Sequence, residues 1–447
     1  MKIDKALKVL LRKSDTFLLL AFFSLLIGVG SLLLMLPWSW AGSAPLRWID
    51  ALFTAASAAC VTGLSTVAIT NFTKTGQIII IMLMQIGAFG IISFGSLLVS
   101  IPRAQGALNR LNTIKGFYLD GVEYRPRKIV WSIMLFTFSI EGTGILFLSL
   151  LFVQAGVEDW LFNAFFHAVS CFCHVGFSNL PNALMPFAYN PAVLTVIMLL
   201  TIGGGIGFVV LHEVLLVLRK KRKRLSYHSK IVLIMTAVLT GGAALFFLIA
   251  EAKQAYKGMD PFHAFLCALF QSVNTRSSGL EIVPQALLTQ ASKLLSSLRM
   301  FIGGAPGSFA GGIRVTPLFV ICVVMVKEPD IYGDIKIFHH RLSAETLNKG
   351  VVYVLKSIAL FVLIVAALMI SDGTRGFSAT ALFYESISAF GNVGLSMGIT
   401  ADLSNAGKWI LIAAMFMGRV ALFVLAFPAL KRGSHSITYP QVSLLME

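Results

Sequence analysis

The chain has 447 residues, of which 57% are hydrophobic and only 13% are charged, and its formal net charge is +16. Because soluble chains average roughly 25% charged residues, this composition excludes an ordinary soluble domain and indicates a membrane protein with several spans. No signal peptide with a cleavage site is recognisable, and the first apolar run, 17–36, is long enough for a span of ~20 residues.

Eight apolar stretches are predicted to span the membrane. The segments on one side of these stretches hold 24 Lys and Arg, whereas the opposite segments hold seven. Since basic residues accumulate on the cytoplasmic side, both termini are predicted to be cytoplasmic. The basic run 219–224 is better explained as an anchor at anionic headgroups than as a nucleic-acid contact. The predicted spans are 14–36, 74–100, 129–153, 191–218, 229–252, 289–326, 349–371 and 405–430.

Four shorter segments are predicted to be helices that enter the membrane partway and turn back. Each carries an Ala-Leu-Phe or Ala-Phe-Phe triplet, and each has an acidic residue, proline or serine near its start, which is typical of a first helical turn. Their C-terminal ends carry partial negative charge and would point toward the membrane centre, which favours a cation there. The four segments are 46–59, 158–172, 259–273 and 376–390.

Each short helix ends in a small polar turn centred on a glycine, and successive glycines are 113, 103 and 115 residues apart. Irregular backbone persists at membrane depth only when it is buried in protein or lines a wet cavity, so four such turns predict one shared pore. Carbonyl oxygens replace the water shell of a monovalent cation. The alternative is that these glycines lie in surface loops. The recurrence of the same turn in four segments disfavours it. The predicted ion-binding residues are Val61, Thr62, Gly63, His174, Val175, Gly176, Ser277, Ser278, Gly279, Asn392, Val393 and Gly394.

The predicted fold is therefore an all-α membrane protein with four repeats, each an outer helix, a re-entrant pore helix and an inner helix (M1-P-M2), around a pseudo-fourfold pore. The predicted repeats are 1–128, 129–228, 229–348 and 349–447. A secondary transporter of sodium, ammonium or another small solute is the alternative, although it predicts two related halves. An enzyme is not indicated, because the five cysteines predict no disulfide framework and Cys171-Phe-Cys173-His174 is a weak metal motif.

The span 289–326 is predicted to be broken, because its 38 residues would form a helix of ~57 Å in a hydrocarbon core of ~30 Å. Five glycines and a proline lie in 303–312 and cannot continue a helix cheaply. The glycine-rich stretches 85–90 and 203–207 are interpreted as packing stripes between helices. The residues predicted to form the intramembrane loop are Gly303, Gly304, Ala305, Pro306, Gly307, Ser308, Gly311 and Gly312.

Arg419 is predicted to be functional, because it lies in the middle of the last span, where a charge is costly. The alternative is an arginine that snorkels to the interface. Arg314 is nearer the predicted cytoplasmic end and is predicted to be an anchor. Glu141, Glu213 and Lys356 are predicted to be paired or interfacial groups.

Through the four glycine turns, the broken span and Arg419, the whole chain resembles the potassium-translocating subunit of the Ktr system, within the Trk, Ktr and HKT superfamily. The resemblance implies one filter glycine per repeat and a gate formed by 303–312 with Arg419. Eight spans fit Ktr better than Trk, which usually adds two. Gly63, where some plant relatives have serine, implies selectivity for potassium over sodium.

The resemblance also implies partners and a location. It implies a homodimer in the lipids of the bacterial plasma membrane, above a cytosolic ring of RCK-type subunits that bind ATP or ADP. The basic segments 101–128, 219–230 and 327–349 would face that ring, and the tail 436–447 would pack at the dimer interface. It implies no cofactor in this chain, potassium as the transported ion and sodium as a candidate activator or coupled ion.

Overall fold

The computed structural model of the protein describes residues 15–100, 126–328, 334–337 and 340–422, and this part is built almost entirely of helices. The last helix continues into a π-helical turn at Met417–Ala421. The helices are α1 Asp15–Leu34, α2 Trp48–Ala59, α3 Lys74–Ser100, α4 Pro126–Gln154, α5 Trp160–Phe172, α6 Pro191–Ile206, α7 Phe208–Leu218, α8 Tyr227–Glu251, α9 Pro261–Asn274, α10 Gln290–Phe301, α11 Val315–Val326, α12 Ala344–Asp372, α13 Ala379–Gly391 and α14 Asn405–Phe416.

A small β-hairpin, which the sequence did not predict, lies between α11 and α12. Its strands are β1, Ile335–Ile337, and β2, His340–Leu342, and they pair antiparallel with Lys336 opposite Arg341. The hairpin falls within the predicted basic segment 327–349. It adds two short strands to a fold that is otherwise helical, as predicted.

Within the described ranges, four helical segments are long and apolar enough to cross a membrane, namely Phe17–Leu34, Val130–Gln154, Tyr227–Glu251 and Ala344–Asp372. The pair α6 and α7 counts as a fifth if its bend lies within one span. The remaining candidates include shorter apolar helices such as Val315–Val326. The composition and these helices agree with a membrane protein, and the count of eight spans stays a prediction.

The predicted span over 191–218 is broken into two helices, a break that the sequence did not predict. Helix α6 ends at Ile206, α7 begins at Phe208, and the two helices are bent by 106° relative to each other. Gly207 stands at the bend with φ +90°, which a residue with a side chain rarely adopts. A Cβ there would also lie 2.8 Å from the carbonyl oxygen of Pro306. The break therefore depends on a glycine and on a close neighbour from another repeat.

The prediction of a broken span over 289–326 is confirmed. Helix α10 ends at Phe301 and α11 begins at Val315, and residues 302–314 between them form a loop, hereafter the central loop. Most of the central loop is buried, including Gly303 and Phe309. Buried irregular backbone agrees with the rule that such a loop needs protein or water around it at membrane depth.

All four predicted short helices are present as α2, α5, α9 and α13. The side chains of Asp260 and Ser378 cap α9 and α13 by accepting hydrogen bonds from backbone amides three residues further on. Asp159 has φ +48° and makes no capping bond, and its carboxylate instead lies 2.8 Å from the ammonium of Lys74. Asp50 lies within the first turn of α2, so acidic or serine residues stand at the starts of all four helices, as the sequence indicated.

The predicted environments of three isolated charges can be compared with the structure. Glu213 is paired, because its carboxylate accepts from Arg222 at 2.7 Å and from the Ser226 hydroxyl at 2.8 Å. Glu141 is buried and accepts two hydrogen bonds from the amide of Gln85, at 3.1 and 3.2 Å. Its partner is thus a neutral amide. Lys356 is exposed on α12.

A buried ion pair joins the first and last repeats. The ammonium of Lys408 on α14 lies 2.9 Å from the carboxylate of Asp50 on α2, and the two side chains are only 2% and 4% exposed. The exposed Arg47 also reaches this carboxylate, at 2.8 Å. No local pattern in the sequence predicts this pair, because its two members are 358 residues apart.

Lys408→Met is expected to lower the melting temperature of the purified protein in detergent. The substitution leaves a buried carboxylate without its buried partner, a loss that costs about 3–5 kcal/mol in proteins. Lys74→Met is the matched control, since its ion pair is exposed on both sides and is worth at most about 1 kcal/mol. The double variant Asp50→Asn, Lys408→Met should recover part of the loss. Equal melting temperatures for the two single variants would contradict this view of the pair.

Candidate functional site

The four glycine turns have the same backbone shape. In each turn, both the glycine and the residue two positions before it have positive φ: 60° and 99° at Val61 and Gly63, 63° and 81° at His174 and Gly176, 69° and 67° at Ser277 and Gly279, and 50° and 97° at Asn392 and Gly394. Side chains other than glycine rarely adopt this conformation, and a β-branched valine is an outlier there. Because strained backbone persists only where the surroundings impose it, four copies of one shape indicate one shared environment.

The four glycines, Gly63, Gly176, Gly279 and Gly394, lie against one another in a closed ring. We call them the turn glycines. A Cβ on each one would overlap a carbonyl oxygen of the next repeat in chain order, and the fourth repeat closes onto the first. Each such Cβ would also lie 2.8–3.3 Å from the Cα of a neighbouring turn glycine. The overlapped carbonyl oxygens belong to Val175, Ser278, Val393 and Thr62 in turn. No side chain fits at any of the four positions without displacing backbone.

The structure thus brings together the four turns that contain the twelve predicted ion-binding residues. The eight residues that precede the turn glycines by one or two positions are all buried. Four short helices, α2, α5, α9 and α13, end at this ring, and their C-terminal ends carry partial negative charge. An arrangement of neutral carbonyl oxygens and helix ends suits a monovalent cation more than an anion.

A serine six residues before the turn glycine supports three of the turns. The Ser57 hydroxyl accepts from the amide of Gly63 at 2.9 Å, and the Ser388 hydroxyl accepts from the amide of Gly394 at 3.1 Å. In the second repeat, Ser170 donates to the carbonyl of Phe177 at 2.7 Å. The third repeat has Val273 at this position. These serines were not among the predicted residues, although their constant spacing from the turn glycine is visible in the sequence.

Glycines on the inner helices let three of these helices approach the ends of the pore helices. A Cβ on Gly87, Gly204 or Gly418 would overlap a pore-helix carbonyl, namely that of Ala59, Phe172 or Phe390 respectively. Gly87 and Gly418 each follow their turn glycine by 24 residues, and in the third repeat the same spacing leads to Gly303. Gly303 lies at the N-terminal end of the central loop. The third repeat therefore has its loop where the other repeats have a close helix contact.

The central loop is bonded to the broken inner helix of the second repeat. The amides of Ala305 and Phe309 donate to the carbonyls of Gly205 and Gly204, at 2.9 and 3.2 Å. The amide of Phe208 donates to the carbonyl of Gly307 at 3.3 Å. The interpretation of 203–207 as a packing stripe is therefore only partly right. The break at Gly207 leaves backbone groups of both helices without helical partners, and the loop binds them.

The central loop also contacts the glycine turns of the third and fourth repeats. The amide of Gly311 donates to the Ser277 hydroxyl at 2.9 Å. A Cβ on Gly311 would lie 2.5 Å from the Cβ of Asn392 and 2.8 Å from the carbonyl oxygen of Gly391. This contact places the loop directly beside the ring of turn glycines.

Three arginines hold the central loop through its carbonyl oxygens. Arg276, in the third turn, donates to the carbonyl of Gly303 at 3.2 and 3.3 Å. Arg419 is 3% exposed and donates to the carbonyl of Phe309. Arg314 donates to the Ala305 carbonyl at 3.2 Å and to a loop serine at 3.1 Å. In the described part of the chain, the hydrogen bonds of these arginines go to neutral oxygens rather than to carboxylates.

The contacts of Arg314 favour a role in holding the central loop over the predicted role of an interfacial anchor. Its side chain is half-buried and bonds the central loop. The physical reason is the loop itself, whose carbonyls lack helical partners and compete with water for the guanidinium. The role of Arg276 was also missed, because a single arginine in a polar turn gives no local sign of its partner.

The weak metal motif at 171–174 does not converge on one point. The Cys173 thiol faces the Gln85 amide oxygen at 3.3 Å and the Glu141 carboxylate at 3.6 Å. The His174 ring instead bonds the backbone of the third repeat at 2.7 Å through Nδ1. These contacts favour the interpretation that the motif belongs to the second turn.

Residues 4–434 match the family described as TrkH, cation transport protein. The chain is 34% identical to the Ktr system potassium uptake protein B of Bacillus subtilis (strain 168), over 98% of this chain and 97% of that protein. It is 31% identical to the potassium/sodium uptake protein NtpJ of Enterococcus hirae, over 97% and 98%. The fold resembles the crystal structure of the potassium transporter TrkH from Vibrio parahaemolyticus, with TM-score 0.73, 20% identity and coverage of 93% and 84%.

Proposed function

Since this chain belongs to the TrkH family of cation transport proteins, we propose that it is a potassium uptake pore of the bacterial plasma membrane. The observation that carries the proposal is the closed ring of the four turn glycines. The names of two relatives, both uptake proteins for potassium, support the choice of ion.

The turn glycines and their preceding carbonyls would act as the selectivity filter. A potassium ion entering from outside exchanges its water shell for the carbonyl oxygens of Thr62, Val175, Ser278 and Val393. The exchange needs carbonyl oxygens close to the pore axis. Only glycine lets the four turns approach one another this closely. The pore helices add partial negative charge behind the site, which offsets part of the dehydration cost.

The central loop and Arg419 would form the gate below this filter. The loop contacts the third and fourth turns at Gly311, so an ion leaving the filter meets it next. Buried arginines near the path add a positive potential that opposes a cation. Passage then requires the loop to move away from the filter, which breaks its bonds to α6 and α7.

The proposal extends to partners and orientation. Both termini would be cytoplasmic, and the chain would form homodimers in the membrane above a cytosolic ring of RCK-type, nucleotide-binding subunits. The Ktr system name of one relative supports a partner subunit, and the potassium/sodium name of another supports sodium as a second ion. The four repeats, with boundaries at 128, 228 and 348, would be the units around the pore. Residues 101–125 of the predicted contact region 101–128 lie outside the described residues, and so does the tail 436–447.

Potassium uptake by a strain that lacks its own uptake systems tests the function. We expect the chain, expressed with its regulatory partner, to restore growth at low external potassium and to carry radioactive rubidium, which replaces potassium in such assays. An empty vector is the control. Uptake of ammonium or sodium without any potassium uptake would favour a secondary transporter of another solute and contradict the proposal.

A further inference from the structure

The residues two positions before the turn glycines are Val61, His174, Ser277 and Asn392, hereafter the shoulder residues. All four have positive φ and all are buried. They differ completely in chemistry, with one apolar side chain, one imidazole, one hydroxyl and one amide. Because the backbone shape is the same, this difference lies in what their side chains contact.

Three shoulder side chains bond the turn of the following repeat. His174 Nδ1 lies 2.7 Å from the carbonyl oxygen of Ser277, and since a carbonyl only accepts, Nδ1 is the protonated donor. The Ser277 hydroxyl donates to the carbonyl of Asn392 at 2.8 Å. The Asn392 amide donates to the Thr62 hydroxyl at 2.9 Å. These bonds link the second repeat to the third, the third to the fourth, and the fourth to the first.

These three hydrogen bonds run around the four turns, and we call them the belt. The belt has no bond between the first and second repeats. Val61 would have to link the first repeat to the second, but its side chain has no donor or acceptor. It packs instead in an apolar cluster that includes Phe172 and Val175 of the second repeat. The turn glycines continue the ring there, because Gly63 lies against the Val175 carbonyl. The belt thus follows the same order of repeats as the ring of turn glycines, and it bonds three of the four pairs of neighbouring repeats.

We propose that His174, Ser277 and Asn392 are positioning residues that set the ion selectivity of the filter through this belt. The inference rests on the proposed function of the ring as a cation filter. None of the three side chains needs to touch the ion. They act on the carbonyls and the hydroxyl to which they are bonded. Between the first and second repeats, at Val61, neighbouring turns can separate without breaking a hydrogen bond of a shoulder side chain.

The physical reason concerns the size of the ring. A smaller cation such as sodium needs carbonyl oxygens to move inward, whereas potassium is satisfied at a larger radius. The belt bonds hold the carbonyls of Ser277 and Asn392, each one residue before a ligand carbonyl, and the hydroxyl of Thr62, and each donor lies on the preceding repeat. A turn held in this way resists the inward movement of its ligand carbonyl, because the movement lengthens a buried hydrogen bond. Loss of one belt bond should therefore favour sodium relative to potassium rather than lower both equally.

His174 gives the cleanest test, because the Nδ1 bond to the carbonyl of Ser277 is the direct link of its ring to the third turn. His174→Asn keeps a donor close to the position of Nδ1, and asparagine tolerates a positive φ. His174→Leu removes the donor. His167→Leu is the matched control, since the bonds of His167 go to Asn163 and Ser178 of its own repeat.

The measurement is the ratio of potassium to sodium uptake at equal concentrations by the full-length protein in liposomes. We expect His174→Leu to lower this ratio by about fivefold, the effect of one hydrogen bond, and His174→Asn and His167→Leu to stay within about twofold of the unaltered protein. Size-exclusion chromatography checks that each variant is folded. An unchanged ratio of potassium to sodium uptake in an active His174→Leu protein would contradict the proposed role of the belt.

Val61→Thr keeps the proposal testable if the leucine variant does not fold. Threonine has the shape of valine and adds a hydroxyl where Ser277 carries one in the third repeat. By analogy with the bond from Ser277 to the carbonyl of Asn392, we expect this hydroxyl to donate to the carbonyl of His174. The ratio should rise by about twofold or more. An unchanged or lower ratio would count against the belt. No potassium uptake by the unaltered protein would overturn the proposed function itself, and the role of the belt with it.

Discussion

Gly63→Ser is expected to lower the preference for potassium over sodium by about tenfold or more, equivalent to about 1.4 kcal/mol of binding free energy. Gly63 has φ +99°, and a Cβ there would overlap the carbonyl oxygen of Val175. The serine must therefore displace one of the four carbonyls that we propose as ligands. The other three stay in place, so transport of some cation should persist while the discrimination between ions is lost.

The measurement is competition between potassium and sodium for uptake by the variant and by the unaltered protein. Gly142→Ser on α4 is the matched control, because a Cβ at Gly142 meets no heavy atom within 4 Å. The control should keep the original preference. If Gly63→Ser kept it too, the first turn could not be part of the filter.

Deletion of 306–308 from the central loop is expected to raise ion flux through the closed protein by about tenfold to a hundredfold. The deletion removes Gly307, whose carbonyl accepts from Phe208, and Ser308, which accepts from Arg314. Each lost hydrogen bond, worth about 1 kcal/mol, shifts the equilibrium from the loop position that blocks the pore toward the position that leaves it open. The flux should no longer depend on the regulatory partner.

Rubidium flux into liposomes that contain the variant alone measures this effect. Choline flux is the control, because an open gate beneath an intact filter still excludes choline. Rubidium flux equal to that of the unaltered protein would show that the loop does not gate. A leak that passes choline equally would show that the helices had separated instead.

Local patterns in the sequence predicted much of the fold. The lengths of the apolar runs predicted α1, α4, α8 and α12, and the glycines of 303–312 predicted the break between α10 and α11. The break at Gly207 escaped prediction because its neighbours Gly203 and Gly205 remain in helix α6, and nothing local separates a packing glycine from one with positive φ. Only the contact with Pro306, a residue from another repeat, makes that conformation favourable.

The candidate site was predictable in part for the same reason. The four turns could be found from their glycines, since each repeat carries its own copy. Their cyclic order, the belt and the contacts of Arg276 and Arg314 depend on residues that are far apart along the chain. The third repeat illustrates the limit: Arg276 and Val273 mark it as different, but the loop that explains the difference becomes visible only in the folded protein.

The most direct test of the central claim is to locate bound ions by anomalous diffraction from crystals of the full-length protein grown with rubidium. We expect a rubidium peak on the axis of the ring, within about 3 Å of the carbonyl oxygens of Thr62, Val175, Ser278 and Val393, as carbonyl coordination of a potassium-like ion requires. The peak should diminish when sodium replaces rubidium. A strong rubidium peak elsewhere in the membrane region, with none inside the ring of turn glycines, would contradict the account.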